Sequence, residues 1–127
     1  MPGVPAARGG QKWNVLDYVK GTTEFTTLIG TYFEPKSQLP PSPPPALRSL
    51  SVHYWRLKDH PDPQTPHKED EIYYVLRGRG TIVVNGTTHT LTEGDVIFVP
   101  RCAEHRFGDF DEEGLHLLVV FSPEYSG

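Results

Sequence analysis

The chain of 127 residues has a single cysteine, Cys102, so no disulfide can form within it. It carries no excess of basic residues: the formal net charge is -4, and no Lys/Arg stripe offers a footprint for nucleic acid. No apolar run approaches a membrane span in length. The opening "MPGVPAARGGQKW" has no apolar core of signal-peptide length, and with one cysteine the expectation is a cytoplasmic protein. No stretch shows a sustained helical period. With 36% hydrophobic and 22% charged residues, the composition is that of one soluble domain with one core.

Punctuation and β-type segments make up what is present. Residues 1–10 are rich in Gly, Pro and Ala and read as a mobile start. The early part of "WNVLDYVKGTTEFTTLIGTYFE" reads as a short strand or turn, and "EFTTLIGTYF" as a strand. "PKSQLPPSPPPALRS" holds six of the thirteen prolines; proline cannot donate to a ladder, so this is an extended loop or linker. Residues 1–48 are thus read as an N-terminal extension supplying edge strands, and 49–127 as the main β-unit. In that unit, strands are predicted in "SLSVHYWRLK", "EIYYVLRG", "GTIVVNGTTHTL", "VIFVP", "EHRFGDF" and "LHLLVVF", separated by short turns. Asn85-Gly86 splits the third of these into a hairpin, because both central turn positions need positive φ. Short strands at regular spacing predict an all-β sandwich or barrel of antiparallel strands.

The polar cluster "PHKEDE" runs straight into an apolar strand. Strand alternation puts Glu71, Tyr73 and Val75 on one face and Ile72, Tyr74 and Leu76 on the other. A carboxylate at the head of a strand apolar on both faces is costly to bury alone, and a metal ion would neutralise it. His105 opens a later strand and is placed to project into the same cavity. Imidazole and carboxylate suit iron, manganese, nickel or zinc.

The spacing of these residues resembles the cupin superfamily. Its first motif, G-x5-H-x-H-x3,4-E-x6-G, is matched by "HKEDEIYYVLRG" from the second histidine onward. Its second, G-x5-P-x-G-x2-H-x3-N, is matched by "GDVIFVPRCAEH". The resemblance covers about residues 49–121 and implies a jelly-roll barrel with His67, Glu71 and His105 as ligands of a divalent transition metal. Three positions depart from the pattern: Thr65 stands for the first histidine, Cys102 for a glycine and Asp109 for the closing asparagine. The Thr65 departure leaves three readings. The site is a two-histidine, one-carboxylate triad with open positions, or Gln64, Glu69 or His60 supplies a fourth ligand, or the metal is weak or lost.

Tyr73 shares the face of Glu71 and is the candidate to meet a substrate. His53 lines the cavity or packs; Trp55 and Arg56 are neighbours on one strand, so at most one of them faces inward. His89 reads as a surface residue of the hairpin, His116 as a sheet-surface residue, Cys102 as a turn residue, and Glu69 and Asp70 as solvated loop charges. "IYYVL" and "LLVVF" are apolar on both faces, so the outer face needs a cover; a C2 homodimer supplies one, and the resemblance points the same way. The functional expectation is a metal-dependent enzyme of dioxygenase, decarboxylase or isomerase type on a small organic substrate. The alternative is a non-catalytic binder of a sugar, a small acid or a hydrophobic metabolite, with a sensor domain as a third option.

Overall fold

The computed structural model describes residues 12–32, 34–35, 48–58 and 66–125. Among these residues, eight strands form two antiparallel sheets. The larger holds β1 (Thr26–Ile29), β2 (Ser51–Leu57), β8 (Leu115–Ser122), β3 (Asp70–Gly78) and β6 (Val96–Val99), in that order. The smaller holds β5 (Thr87–Leu91), β4 (Gly80–Val84) and β7 (His105–Gly108). No described helix is long and apolar enough to cross a membrane.

The strands predicted from Glu24 onward all form. β1, from the N-terminal extension, pairs with β2 and closes one edge of the large sheet, though it ends at Ile29, earlier than expected. The Asn85-Gly86 turn has φ of 45° and 84°, the doubly positive pair that its sequence demands. Burial alternates along β3 and β6, so Tyr73, Val75, Ile97 and Val99 enter the core between the sheets. There they meet Ile82, Phe107, Leu117, Val119 and Phe121. Full burial of each such side chain contributes roughly 1.5–3 kcal/mol, which makes this inter-sheet layer the main source of stability.

The "NVLDYVKG" segment, expected as a strand or turn, is instead a short helix, α1 (Val15–Val19). Asn14 caps it by accepting the Asp17 amide at 3.0 Å, and Lys20 ends it at φ 51°. Five residues are too few for a visible period, and its stability comes from docking. Val19 packs with Leu28 and Tyr54 on the outer face of the large sheet, with Leu16, Tyr18, Val52 and Leu118 around them.

His116 corrects another expectation. Alternation does place it on the outer face, but that face is itself covered, and the residue is only 3% exposed. Its Nδ1 lies 2.7 Å from the Tyr54 hydroxyl and its Nε2 3.0 Å from Glu113. Burial lowers its pKa and raises that of Tyr54. His89 is exposed on β5, as read.

His53 ties β1 and the segment after β8 to the barrel. It is fully buried, stacks on Phe25 at 4.7 Å and touches Thr27 through Nδ1 at 3.0 Å and Ser51 through Nε2 at 2.6 Å. The Thr27 hydroxyl already donates to the Tyr32 carbonyl, so His53 Nδ1–H must donate to Thr27. Nε2 then accepts from Ser51, whose oxygen in turn accepts the Tyr125 amide. The neutral ring is fully satisfied, and burial lowers its pKa to about 3.

Because the unfolded chain binds this proton near pH 6.5 and the folded chain does not, stability is complete above that pH and falls as pH drops toward 3. The loss from this group between pH 7 and pH 4 is expected to be roughly 3 kcal/mol. Urea titrations at both pH values should show that His53→Gln has a distinctly shallower loss than the native protein.

Candidate metal centre

β3 and β7 bring the predicted ligands together. Glu71 is paired with Val99 on one side and Phe121 on the other, in the interior of the large sheet, and points inward with 1% exposure. His105 opens β7 on the opposing sheet. His67 sits on the segment leading into β3. Ligand atoms from His67, Glu71 and His105 all lie within 4.8 Å of one another. The Nε2 atoms of His105 and His67 stand 3.3 and 3.7 Å from the same oxygen, Glu71 Oε1.

The tautomer of His105 is set by its backbone. Its Nδ1 lies 2.9 Å from the Ala103 carbonyl, which can only accept, so Nδ1 carries a proton. In the neutral ring, Nε2 then turns a lone pair toward Glu71 Oε1. A proton or a metal ion between the two atoms satisfies both. A metal ligand whose other ring nitrogen is held by a carbonyl is the usual second layer of such a site. Tyr73 donates its hydroxyl hydrogen to Glu71 Oε2, leaving Oε1 toward the histidines, and the same hydroxyl lies 3.4 Å from His105 Nε2. Two ligands about 2.1 Å from one ion at right angles are about 3 Å apart, so the donor set fits a first-row divalent metal.

The turn after β6 frames this arrangement. The Cys102 amide donates to the His67 carbonyl at 2.6 Å, and the Arg101 amide donates to Asp70 at 2.8 Å. One tight turn thus holds the His67 segment and presents Ala103 to His105. Two motif departures are explained by backbone conformation: Cys102 has φ 64° and Asp109 φ 52°. The family's glycine and asparagine tolerate that left-handed region; aspartate does so too, whereas cysteine is strained there. Gly78, the glycine closing the first motif, has φ 90°, and a Cβ there would stand 1.7 Å from the Gly114 carbonyl oxygen.

An aromatic wall adjoins His67. Phe121 and Tyr125 stack at 4.8 Å, and both rings stand edge-on to His67, at 5.7 and 6.1 Å. Phe25, just before β1, and His53 of β2 continue the wall. Tyr125 was not anticipated from the sequence. It follows the last strand with no periodic signal, and it is placed by its amide's bond to Ser51 and by Glu124, which accepts from Thr31. Burial is the main reason that its pKa is raised, followed by Glu34, Tyr32, Glu69 and Glu71. Burial lowers the His67 pKa, His105 adds to this, and Glu69 opposes it.

Glu69 is not a solvated loop charge: it is 3% exposed. Nor does it join the three-residue ligand cluster. Gln64, Thr65 and His60 lie outside the described residues. Of the strand pair, Trp55 turns inward onto Phe107, and Arg56 turns out to the Glu113 and Gly21 carbonyls. A cleft of about 630 Å³ along β7 touches His105 and the core residue Phe107, and the rest of its lining, such as Val83 and Arg106, faces outward.

A family model described as "Cupin domain" matches residues 56–121, just over half the chain. The chain belongs to the cupin family. Cupins commonly bind divalent metals, and in this one the His–Glu–His cluster occupies the barrel interior. The chain is 40% identical over 80 residues to an uncharacterized protein of Streptomyces coelicolor, covering 62% of this chain and 75% of that one. It is 50% identical over 42 residues to a 5-aminosalicylate 1,2-dioxygenase of Comamonas sp., which is 32% of this chain but only 11% of that enzyme. Among solved structures, an RmlC-like cupin from Shewanella frigidimarina matches with a TM-score of 0.53 and 26% identity, over 60% of this chain and 68% of that one. These likenesses establish the jelly-roll fold.

Relieving the strain at Cys102 should stabilise the cupin. Cys102→Gly is expected to gain about 0.5–1 kcal/mol, the left-handed penalty less the entropy that glycine adds to the unfolded chain. Thermal melts of the two proteins check this.

Proposed function

We propose that this cupin is a metal-dependent enzyme acting on a small organic substrate, with His67, Glu71 and His105 holding a divalent iron, manganese, nickel or zinc ion. The observation that carries the reading is the His105 tautomer: its Nδ1 proton is committed to Ala103, and its Nε2 faces a carboxylate oxygen 3.3 Å away. When bound, such an ion supplies Lewis-acid or redox chemistry at its open positions. The chain's own contribution is orientation. Tyr73 fixes the Glu71 carboxylate and holds a proton beside the site, and the Phe121–Tyr125 wall excludes water from one side. Dioxygenase, decarboxylase and isomerase types all suit this arrangement. The likeness to the Comamonas dioxygenase, though it spans little of that enzyme, supports the first. The buried aromatic wall beside His67 also suits a second reading, a non-catalytic binder of a hydrophobic metabolite, a sugar or a small acid. Oxygen consumption with a panel of small phenols and oxo-acids separates the two.

Metal analysis after loading tests the site itself. The native protein should hold about one equivalent, and His105→Ala and His67→Ala should each lose binding at least tenfold. An absence of stoichiometric metal in the native protein overturns the metal reading.

The same reading includes a C2 homodimer. Direct pairing of Val52, Val120, Ile72 and Phe98 makes one apolar row across the outer face, and Tyr74 pairs with Val96 beside it. α1 covers the β2–β8 side, whereas Ile72, Tyr74, Val96 and Phe98 are 38–64% exposed. A second copy seated on that end would bury them. Light scattering should give twice the chain mass for the native protein and the chain mass for Phe98→Glu; a native monomer contradicts the dimer.

A further inference from the structure

We propose that Asn85, in the hairpin turn and outside the ligand cluster, is the positioning residue that holds His105 in its ligand geometry through a single peptide group. The proposal rests on the metal reading above for its purpose, and on hydrogen bonds alone for its geometry. The peptide between Ala103 and Glu104 is held at both ends. Its N–H donates to Asn85 Oδ1 at 2.9 Å, and its C=O accepts from His105 Nδ1 at 2.9 Å. The far ring nitrogen, Nε2, stands 3.3 Å from Glu71 Oε1. One chain of contacts therefore runs from an exposed side chain on the hairpin to the buried cluster. An amide hydrogen admits only an acceptor, so the Asn85 side-chain oxygen, not its nitrogen, faces Glu104.

The turn explains why this residue is an asparagine. β4 and β7 pair as far as Val84 and His105, and beyond them the Asn85 amide donates to the Glu104 carbonyl at 2.8 Å. At φ 45° the Asn85 backbone has entered the turn, and its side-chain oxygen takes the second bond of that rung. The amides of Arg101, Cys102 and Ala103 are bonded to Asp70, His67 and Pro100. Asn85 completes the set, so no peptide in the turn before His105 is left to swing. Without it the Ala103–Glu104 peptide can tilt, and the carbonyl that holds Nδ1 tilts with it. A peptide whose N–H is bonded is also more polarised, which makes its C=O a better acceptor. A better acceptor at Nδ1 makes Nε2 a more basic ligand. Asparagine and aspartate combine tolerance of the left-handed region with a short side-chain acceptor, whereas glycine offers only the first.

Three variants of the full-length protein test this. Asn85→Gly keeps the turn and removes only the acceptor, and Asn85→Asp keeps both. Thr88→Gly weakens the same hairpin at an exposed position paired with Val83. Zinc affinity is measured by competition with a chelating dye, and the His105 Nδ1–H proton is followed by NMR in EDTA-treated protein. Asn85→Gly should bind zinc at least about fivefold more weakly than the native protein. In its metal-free form the Nδ1–H proton should exchange with solvent at least about fivefold faster. Asn85→Asp and Thr88→Gly should stay within about twofold of the native protein on both measures, and melts confirm that each variant is folded. Native-like zinc affinity or native-like exchange in Asn85→Gly overturns the proposal. So does an equal loss in Asn85→Asp or in Thr88→Gly. A native protein that takes up no zinc would count against the metal reading, and the exchange rates would then decide this proposal by themselves.

Discussion

The structure depends on burying the Glu71 carboxylate between two sheets. A carboxylate at 1% exposure, on a strand flanked on both sides, has no route back to water. It must be compensated where it stands, and the elements around it are arranged for that. Tyr73, two residues along the same strand, secures one oxygen. The other oxygen faces two imidazoles delivered by different segments. The hydrophobic layer beneath, from Tyr73 to Leu117, makes the interior dry enough for these polar contacts to be strong.

Holding the imidazoles in place falls to backbone rather than to side chains. The Pro100–Ala103 turn bonds to the His67 carbonyl and orients His105 in one step. This gives the left-handed conformation of Cys102 a purpose: the turn must reverse tightly to reach both histidines. At the other end, His53 links β1, β2 and the C-terminal tail through Thr27, Ser51 and Tyr125. The tail then carries the Tyr125 ring to the site. The N-terminal and C-terminal segments are therefore part of how the barrel interior is walled.

The sequence made legible whatever depended on local rules. Strand positions followed from alternation and turns, the hairpin from Asn85-Gly86, and the ligand cluster from motif spacing, which encodes register across β3, β6 and β7. Four features escaped because they depend on how distant parts of the chain pack together. α1 is shorter than two helical turns, and its apolar residues make sense only against Tyr54 and Leu28. His116 reads as outward by alternation, but the outward face is covered at that point. Glu69 sits in a run of charges, in a bend just before β3, and nothing local marks it as buried at 3% exposure. Tyr125 was invisible for the same reason, since its role comes from a tail folded back by single hydrogen bonds.

His67, Glu71 and His105 give the barrel interior the donor set that a metal ion needs. A crystal structure of zinc-loaded protein, with anomalous diffraction collected at the zinc edge, tests it most directly. One anomalous peak within bonding distance of Glu71 Oε1 and of the Nε2 atoms of His67 and His105 is the predicted result. A metal-saturated crystal with no peak at that position, or with zinc elsewhere on the surface, would contradict it.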